Sequence, residues 1–525
     1  MDSPELISGI KKRCPDFSAL DVSGPYPDEV RIKVEARNFK AACLALHKMF
    51  SSPVMTFFAS DERNERGVFV VHVVFLEAKK SRWVMVVMDI PEADPRFDSL
   101  AKSIYSASLF ERQIKEMFGI EPEGNPDLRR LHLHDEVWPA GQYPLRRDFT
   151  KMSPGALSEY AFGRVEGEGI FEVPVGPVHA GIIGPGHFRF SAAGEPIINL
   201  ELRLGFTHRG AEKLFEGRSC FEALRLSECV SGDAAFAHSL AFAEAAEKIM
   251  GVCVPVRAAC IRAVLSELER LHNHISDMGG MALDVGFSFP SAYASVIKEA
   301  LLQVNEMLTG SRYLKKVNAV GGVLVDIDEA KKTALLASLR EIKRDFHELA
   351  KMLLESVSFM DRVDTTGVLR KKTAEDLGMV GLAARASGVA MDLRQSFGSV
   401  YKEAGFKIVL QVSGDVLARL RVRIGEVEES FRLIEILAGR LASSATTSIE
   451  PSCREGSALG CAEGWRGPVL YWLKTDAAGS IQRCKITDAS FHNWQGLSYA
   501  VLGNIIPDFP LCNKSFNLSY AGNDL

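Results

Sequence analysis

Apolar positions change their spacing along the chain, and the change divides it in two. Over the first ninety residues they fall in short blocks at 29–35, 54–61, 67–77 and 83–90, each of strand length, with Val68 to Leu76 rich in β-branched residues. Residues 39–50 carry helical spacing between these blocks, and 98–118 read as a second helical region. Residues 1–150 are therefore expected to form a small α+β domain. It closes in a segment, 122–149, that is dense in Pro and Arg and has little periodicity. Such segments serve as ordered tails or docking strands. From 171 to 204 strand-like stretches return with Gly- and Pro-rich turns, and long helices follow. Residues 258–278 place Leu265, Leu268, His272 and Ile275 on one face, and 329–356 and 415–441 extend the same pattern. From 464 onward the pattern returns to strands and loops. Residues 151–525 are expected to be mainly helical, with β elements at both ends.

Composition narrows the partners. The 525 residues are 47% apolar and 25% charged, ordinary values for a globular chain too long for one core. A net charge of −5 argues against nucleic acid, which requires a basic excess. No uninterrupted apolar run reaches the roughly 18 residues that a span needs, and no secretory h-region follows the first basic residues. Membrane association is thus expected through partner subunits, at the cytoplasmic side. The ten cysteines are scattered, the tightest gap being Cys253 to Cys260, and no CxxC pair gives a local reason for a zinc or iron–sulfur site.

Several residues carry candidate chemistry. His272 and His274 stand two apart on a helix and point apart, so they are expected to be one packed and one solvated residue rather than shared ligands. His132 and His134 would share a strand face, but no third ligand is near. The segment 176–190, GPVHAGIIGPGHFRF, can bend sharply and sets His179 and His187 at strand ends, although an ordinary hairpin is the plainer reading. Residues 204–218 bring together His208, Arg209, Glu212 and Lys213, either on a solvated helix start or in a buried ion-pair network. Arg385, Asp392 and Arg394 pose the same choice between interior lattice and surface charge.

Taken in order, these segments resemble a known family. ERQIKEMFGIEPEGNPDLRR followed by YPLRRDF is similar to the small hydrophilic subunit of complex I. FGRVEGEG, GPVHAGIIGPGHFRF, LGFTHRGAEK, ELERLHNHISDMG, ALDVGF and ARASGVAMDLR resemble the large subunit of formate-hydrogenlyase-type nickel–iron hydrogenase, itself a relative of complex I's quinone-site subunit. The resemblance covers nearly the whole chain. It implies an α+β domain (1–150) fused to the mainly helical hydrogenase large-subunit fold (151–525), in an energy-converting oxidoreductase at the cytoplasmic side of the inner membrane. Its implied partners are an iron–sulfur small subunit, a ferredoxin-like subunit and membrane-embedded antiporter-like subunits, and the chain itself binds no cofactor.

The resemblance also sets a test. A nickel–iron centre uses four thiolates in two CxxC pairs. The corresponding segments here, SECVSGDAAFAHS and KSFNLSYAGNDL, put Ser231, Ala234, Ser519 and Gly522 at those positions, so hydrogen chemistry is not expected. Where a proton-relaying glutamate stands in such hydrogenases, this chain has Gly184. On the complex I side a loop histidine pairs with an aspartate beside a quinone headgroup. The matching residues are His179 and Asp284, with Cys229 in place of the quinone-binding tyrosine. The acceptor pocket is expected to involve His179, Asp284, Cys229 and Ser231, supported by His208, Arg209 and Arg385, with a quinone as the candidate acceptor. A non-catalytic scaffold derived from a hydrogenase subunit is the alternative, and an active hydrogenase the weakest one.

Overall fold

The computed structural model describes residues 3–179, 183–441, 444–448, 452 and 454–525. The N-terminal part is built on a five-stranded sheet of β1 (Asp21–Tyr26), β2 (Glu29–Lys33), β3 (Thr56–Glu62), β4 (Val68–Glu77) and β5 (Arg82–Pro91). Their order is β1-β2-β5-β4-β3, with only β2 and β5 parallel. The four strand blocks read from the pattern match β2 to β5 within a residue or two, while β1, DVSGPY, is mostly exposed and is not among them. The predicted helix at 98–118 is shorter, Ser108–Phe118, because 99–107 turn before it starts.

The run VFVVHVVFL is apolar throughout because both faces of β4 are covered. Val71, Val73 and Phe75 join the core under the helices Ala36–Phe50 and Ser108–Phe118. Val74 and Leu76 join Phe58, Trp83 and Met85 against Leu459, Leu470 and Trp472 of the second part. Burying about 100 Å² or more of such a side chain contributes on the order of 2–3 kcal/mol, so this face holds the two parts together. Polar ties flank it: Arg31 donates to Ser457 Oγ at 2.8 Å, and Thr487 to Thr56 at 2.9 Å.

Residues 124–169 have no regular secondary structure but are tied down near their start. His134 Nε2 lies 2.7 Å from Leu204 O, and Arg129 pairs with both Asp127 and Glu201. The second part opens on an antiparallel sheet of Ile170–Val175, His187–Ala193 and Ile197–Arg203. The helices Ala235–Met250, Val256–Asp284, Ser288–Thr309, Glu329–Glu355 and Val416–Ala438 follow. Asp328 and Asp415 start two of them by accepting the N–H groups of Lys331 and Ala418.

The expected strand-and-loop tail holds only in part. Strands Gly456–Glu463, Pro468–Thr475 and Ile481–Thr487 are followed by helices Ala489–Ala500, Phe509–Phe516 and Tyr520–Asp524. Helix 489–500 is packed on nearly every side, so its sequence ASFHNWQGLSYA shows no polar face for a periodicity reading to detect. Among the described residues no helix is long and apolar enough to cross a membrane.

Candidate acceptor site

Two chain segments far apart in sequence meet at the centre of the second part. One is the turn leading into helix Ala235–Met250, and the other is the turn leading into helix Tyr520–Asp524. Ser231 Oγ and Ser519 Oγ lie 2.9 Å apart. Ser519 caps the last helix by accepting the Gly522 N–H at 2.9 Å, and Ser231 donates to Asp233 Oδ1 at 3.0 Å. Each hydroxyl has one hydrogen. The bonds therefore run one way: Gly522 N–H to Ser519, Ser519 to Ser231, Ser231 to Asp233.

Arg466 closes this chain. Its two terminal nitrogens reach both Asp233 oxygens, at 2.8 and 2.6 Å, and its guanidinium lies 3.8 Å over the Trp465 ring. The Trp465 Nε1–H donates to the Asp233 carbonyl at 3.0 Å. Burial works against ionising Asp233, yet the Arg466 charge overcomes it and brings the carboxyl to about 2. On the other side, Asp488 lies 3.1 Å from His238 Nε2, and His238 Nδ1 lies 2.9 Å from the Tyr471 hydroxyl, all three buried. Asp488 fills the direction in which a residue-522 side chain would project: a Cβ there would stand 2.8 Å from the Asp488 Cγ. Glu269 completes the surroundings, accepting the Phe236 and Ala237 N–H groups. Burial, reinforced by the nearby Asp233 charge, pushes it up to about 8.

These residues do not fit a nickel–iron centre. Two of the four positions carry hydroxyls bonded to each other, Ala234 offers a methyl, and the space beside Gly522 holds a carboxylate. None is a soft ligand that could bridge two metals.

The remaining expected residues are not gathered into one site. His179 Nε2 lies 2.8 Å from Gly186 O, and its ring packs against Phe188. Residues 180–182 of its loop lie outside the described residues. Gly184 and Gly186 rest on the Tyr520 ring, which a Cβ at either would approach to 2.7 Å. Asp284 is not brought to His179; among the described residues no hydrogen bond joins them. It stands exposed at the end of its helix, where desolvation raises its pKa and Lys514 opposes the rise. The Cys229 side chain is exposed, and Arg209 holds the carbonyls of Cys229 and Val230 at 2.9 Å each. His208 Nδ1 lies 2.7 Å from Asp524 O.

The two choices left open in the sequence resolve differently: the Arg385 group is interior, whereas at 204–218 only Glu212 is buried, with Arg209 exposed and His208 and Lys213 half-buried. Glu212 pairs with Arg483 and Lys485, and Arg385 sits in an interior lattice with Asp392, Glu426 and Glu463. The solvated histidine expected of the 272/274 pair is corrected. Both are buried, because their helix is enclosed: His272 meets Leu268 O and His274 meets Glu426. A cavity of about 360 Å³ opens between the two parts of the chain, lined among others by Arg112, Arg203, His132, Tyr160 and Trp494. Neither Ser231, His179 nor Gly522 lines it.

The sequence pattern gave no reason to single out Arg466, Asp233, Asp488, His238 and Tyr520. One signal was available: an arginine between two glycines, in EGWRGP, breaks an otherwise apolar stretch.

Comparison with known proteins shows the family of the chain. The family "Respiratory-chain NADH dehydrogenase, 30 Kd subunit" matches residues 32–154, and the corresponding 49 Kd family matches 284–452. Formate hydrogenlyase subunit 5 of Escherichia coli (strain K12) is 32% identical over 96% of this chain and 90% of its own length. The C/D subunit of NADH-quinone oxidoreductase from Phocaeicola vulgatus is 28% identical over 85% of this chain and 90% of its own. A chain in the structure of the membrane-bound sulfane sulfur reductase, an archaeal respiratory membrane complex, aligns with a TM-score of 0.65 and 25% identity. The alignment covers 68% of this chain and 99% of that one. The protein belongs to the family of fused 30 Kd- and 49 Kd-type subunits shared by complex I-like oxidoreductases and formate-hydrogenlyase-type hydrogenases.

Proposed function

We propose that this chain is the fused hydrophilic subunit of a membrane-associated, energy-converting complex I-like oxidoreductase, and that it handles protons and an electron acceptor at the Ser231–Ser519 centre without a nickel–iron cluster. The observation that carries the reading is the centre itself. Two turns 288 residues apart meet in a one-way chain of hydrogen bonds that ends on the Asp233–Arg466 pair. Electrons would arrive from an iron–sulfur cluster in a small partner subunit. Ferredoxin-like and membrane-embedded antiporter-like subunits would complete the assembly at the cytoplasmic side of the inner membrane. The family membership of the chain supports this.

The chemistry asked of the chain's own residues is modest. An acceptor such as a quinone takes up two protons with two electrons, so the site needs donors near neutral pH and a fixed cation for developing negative charge. His179, packed on Phe188 beside the turn that rests on Tyr520, is the imidazole we assign as donor. Arg466 is the cation, already held in place by Asp233 and Trp465. Asp284 takes part only where a docked partner buries it beside the loop.

A second reading, the degenerate scaffold, draws on one observation: Tyr520 fills the space under Gly184 and Gly186, and Asp488 fills the space beside Gly522. One experiment separates the two. The tagged chain is drawn from gently solubilised native membranes, its companions identified by mass spectrometry, and turnover compared with that of Asp233→Asn. An iron–sulfur subunit and antiporter-like proteins should accompany it, and Asp233→Asn should lower turnover at least tenfold with assembly intact. Recovery with soluble partners alone would sink the membrane-coupled reading, and unchanged turnover in an intact complex would leave the scaffold.

A further inference from the structure

We infer that the buried ion lattice around Arg385 stores one exchangeable proton, and that the proton resides on the Glu463 carboxyl. The lattice contains three guanidinium groups, Arg270, Arg385 and Arg394, and four carboxyls, Glu267, Asp392, Glu426 and Glu463. Every one of these seven side chains is at most 3% exposed. Arg385 reaches Glu426 at 2.8 Å, Glu463 at 2.9 Å and Asp392 at 3.2 Å. Arg394 reaches Asp392 at 2.7 Å and Glu267 at 3.1 Å, and Arg270 reaches Glu267 at 3.2 Å and Glu426 at 3.6 Å. Three positive and four negative charges leave one carboxylate uncompensated in a dry interior. An uncompensated buried charge is removed most cheaply by binding a proton.

The hydrogen bonds say where that proton sits. His274 does not carry it: Nε2 lies 2.9 Å from Glu426 while Nδ1 is buried with no partner, so a second ring proton would be an unsatisfied donor. Burial accordingly holds that imidazole at about 4. Glu267 is served by two guanidiniums, the Ser430 hydroxyl and the Tyr401 hydroxyl. Glu426 faces Arg385, Arg270 and His274. Asp392 takes both Arg385 and Arg394, together with the Arg394 backbone N–H. Glu463 has the poorest company: Arg385 on one oxygen and the Leu393 N–H on the other. Asp392 and Arg394 face it from the segment before and within helix Leu393–Ser396. Arg270 meets only its carbonyl, and its strand partner Pro468 is uncharged. Burial first, and Asp392 second, push Glu463 up to about 7.

The store lies beside the centre. Glu463 precedes Arg466 by three residues, and Arg270 grips the carbonyls of Glu463 and Gly464 at 2.7 and 3.1 Å. A change of charge at Glu463 therefore acts on the backbone stretch that presents Arg466 to Asp233. Use of the proton in turnover rests on the function proposed above; its presence does not.

Infrared titration of the purified full chain, in H₂O and D₂O, tests the proton directly. Half-buried Glu244 and buried Glu269 are carboxyls pushed up too, to about 7 and about 8, so Glu244→Gln and Glu269→Gln identify their components of the protonated-carboxyl band. A further component should titrate through neutrality and vanish in Glu463→Gln. Retention of the full band in Glu463→Gln would overturn the assignment. If that variant does not fold, Asp392→Asn tests the charge count. Three carboxylates then balance three guanidiniums, and the component should disappear although Glu463 is present; its persistence would overturn the inference.

Discussion

The side-chain space at position 522 belongs to Asp488, and a single methyl group tests this. In Gly522→Ala the new Cβ would stand 2.8 Å from Asp488 Cγ and Oδ2 and 3.1 Å from Oδ1, against an ordinary contact of 3.4–4 Å. Something must move by roughly half an ångström or more, and Asp488 is poorly placed to do so. It accepts the Ser490 N–H at 2.7 Å as a helix cap, and His238 holds its other oxygen at 3.1 Å. Overpacking of this kind costs about 1–3 kcal/mol. Asp488→Ala removes the cap and the histidine contact, for about 1–3 kcal/mol by itself. It also empties the space, so adding Gly522→Ala in that background should cost under about 0.5 kcal/mol and can gain, since Ala outranks Gly in a helix. The two changes should therefore couple by about 1–3 kcal/mol in a double-mutant cycle. Urea unfolding of the full chain, read through the buried Trp465, Trp472 and Trp494, measures it. A Gly522→Ala chain within about 0.3 kcal/mol of wild type, or additive changes, would refute the reasoning.

Two further perturbations follow from the surrounding contacts. Arg209→Ala removes both ties on the carbonyls of Cys229 and Val230, so the exposed Cys229 thiol should react several-fold faster with an aromatic disulfide reagent, and an unchanged rate would detach Arg209 from this turn. The buried Glu116–His132 pair, 2.7 Å apart, should make the cost of Glu116→Gln depend on pH. Against burial, His132 lowers Glu116 from 4.5 to about 2, a stabilisation present above 4.5 and lost as pH falls toward 2. Against burial, Glu116 raises His132 from 6.5, a stabilisation present below 6.5 and lost as pH rises through the raised value. The urea-midpoint gap between wild type and Glu116→Gln should be widest near pH 5–6 and narrow above neutrality, and a gap flat in pH would refute the pairing.

How much of this could be read in the sequence depended on what each residue's neighbours are. β4 and β5 were legible because burial of both faces writes runs rich in β-branched residues. The helices at 329–355 and 416–438 were legible because each has a solvated side and an aspartate cap. Helix 489–500 was not, since enclosure erases the polar stripe. The meeting of Ser231 and Ser519 could be anticipated only through the family resemblance, because no local pattern links residues 288 positions apart. Arg385, Asp392 and Arg394 were noticed as a group, but their burial depends on Glu463 and Glu426 from other elements. Asp488 was invisible for another reason: its importance lies in the space that Gly522 leaves empty, and a glycine in sequence does not say what approaches it.

The interior of this protein carries more charge than folding requires. For folding alone apolar filling would have sufficed, since replacing a buried ion pair by packed hydrophobes is often neutral or stabilising by about 1–4 kcal/mol. The chain instead holds Asp488 against His238 and six ionisable groups around Arg385 in the interior, and sets the buried Arg466 against the half-exposed Asp233. Each of these fixes a loop end or helix start in one geometry, at a desolvation cost that bare folding does not require. Arg466 in particular is reached from both sides, by Asp233 across the centre and through the Glu463–Arg270 backbone grip behind it. A centre so held, and linked to a lattice whose charge count calls for a proton, is built to respond to charge arriving beside it. That is what a subunit joining electron transfer to proton movement needs.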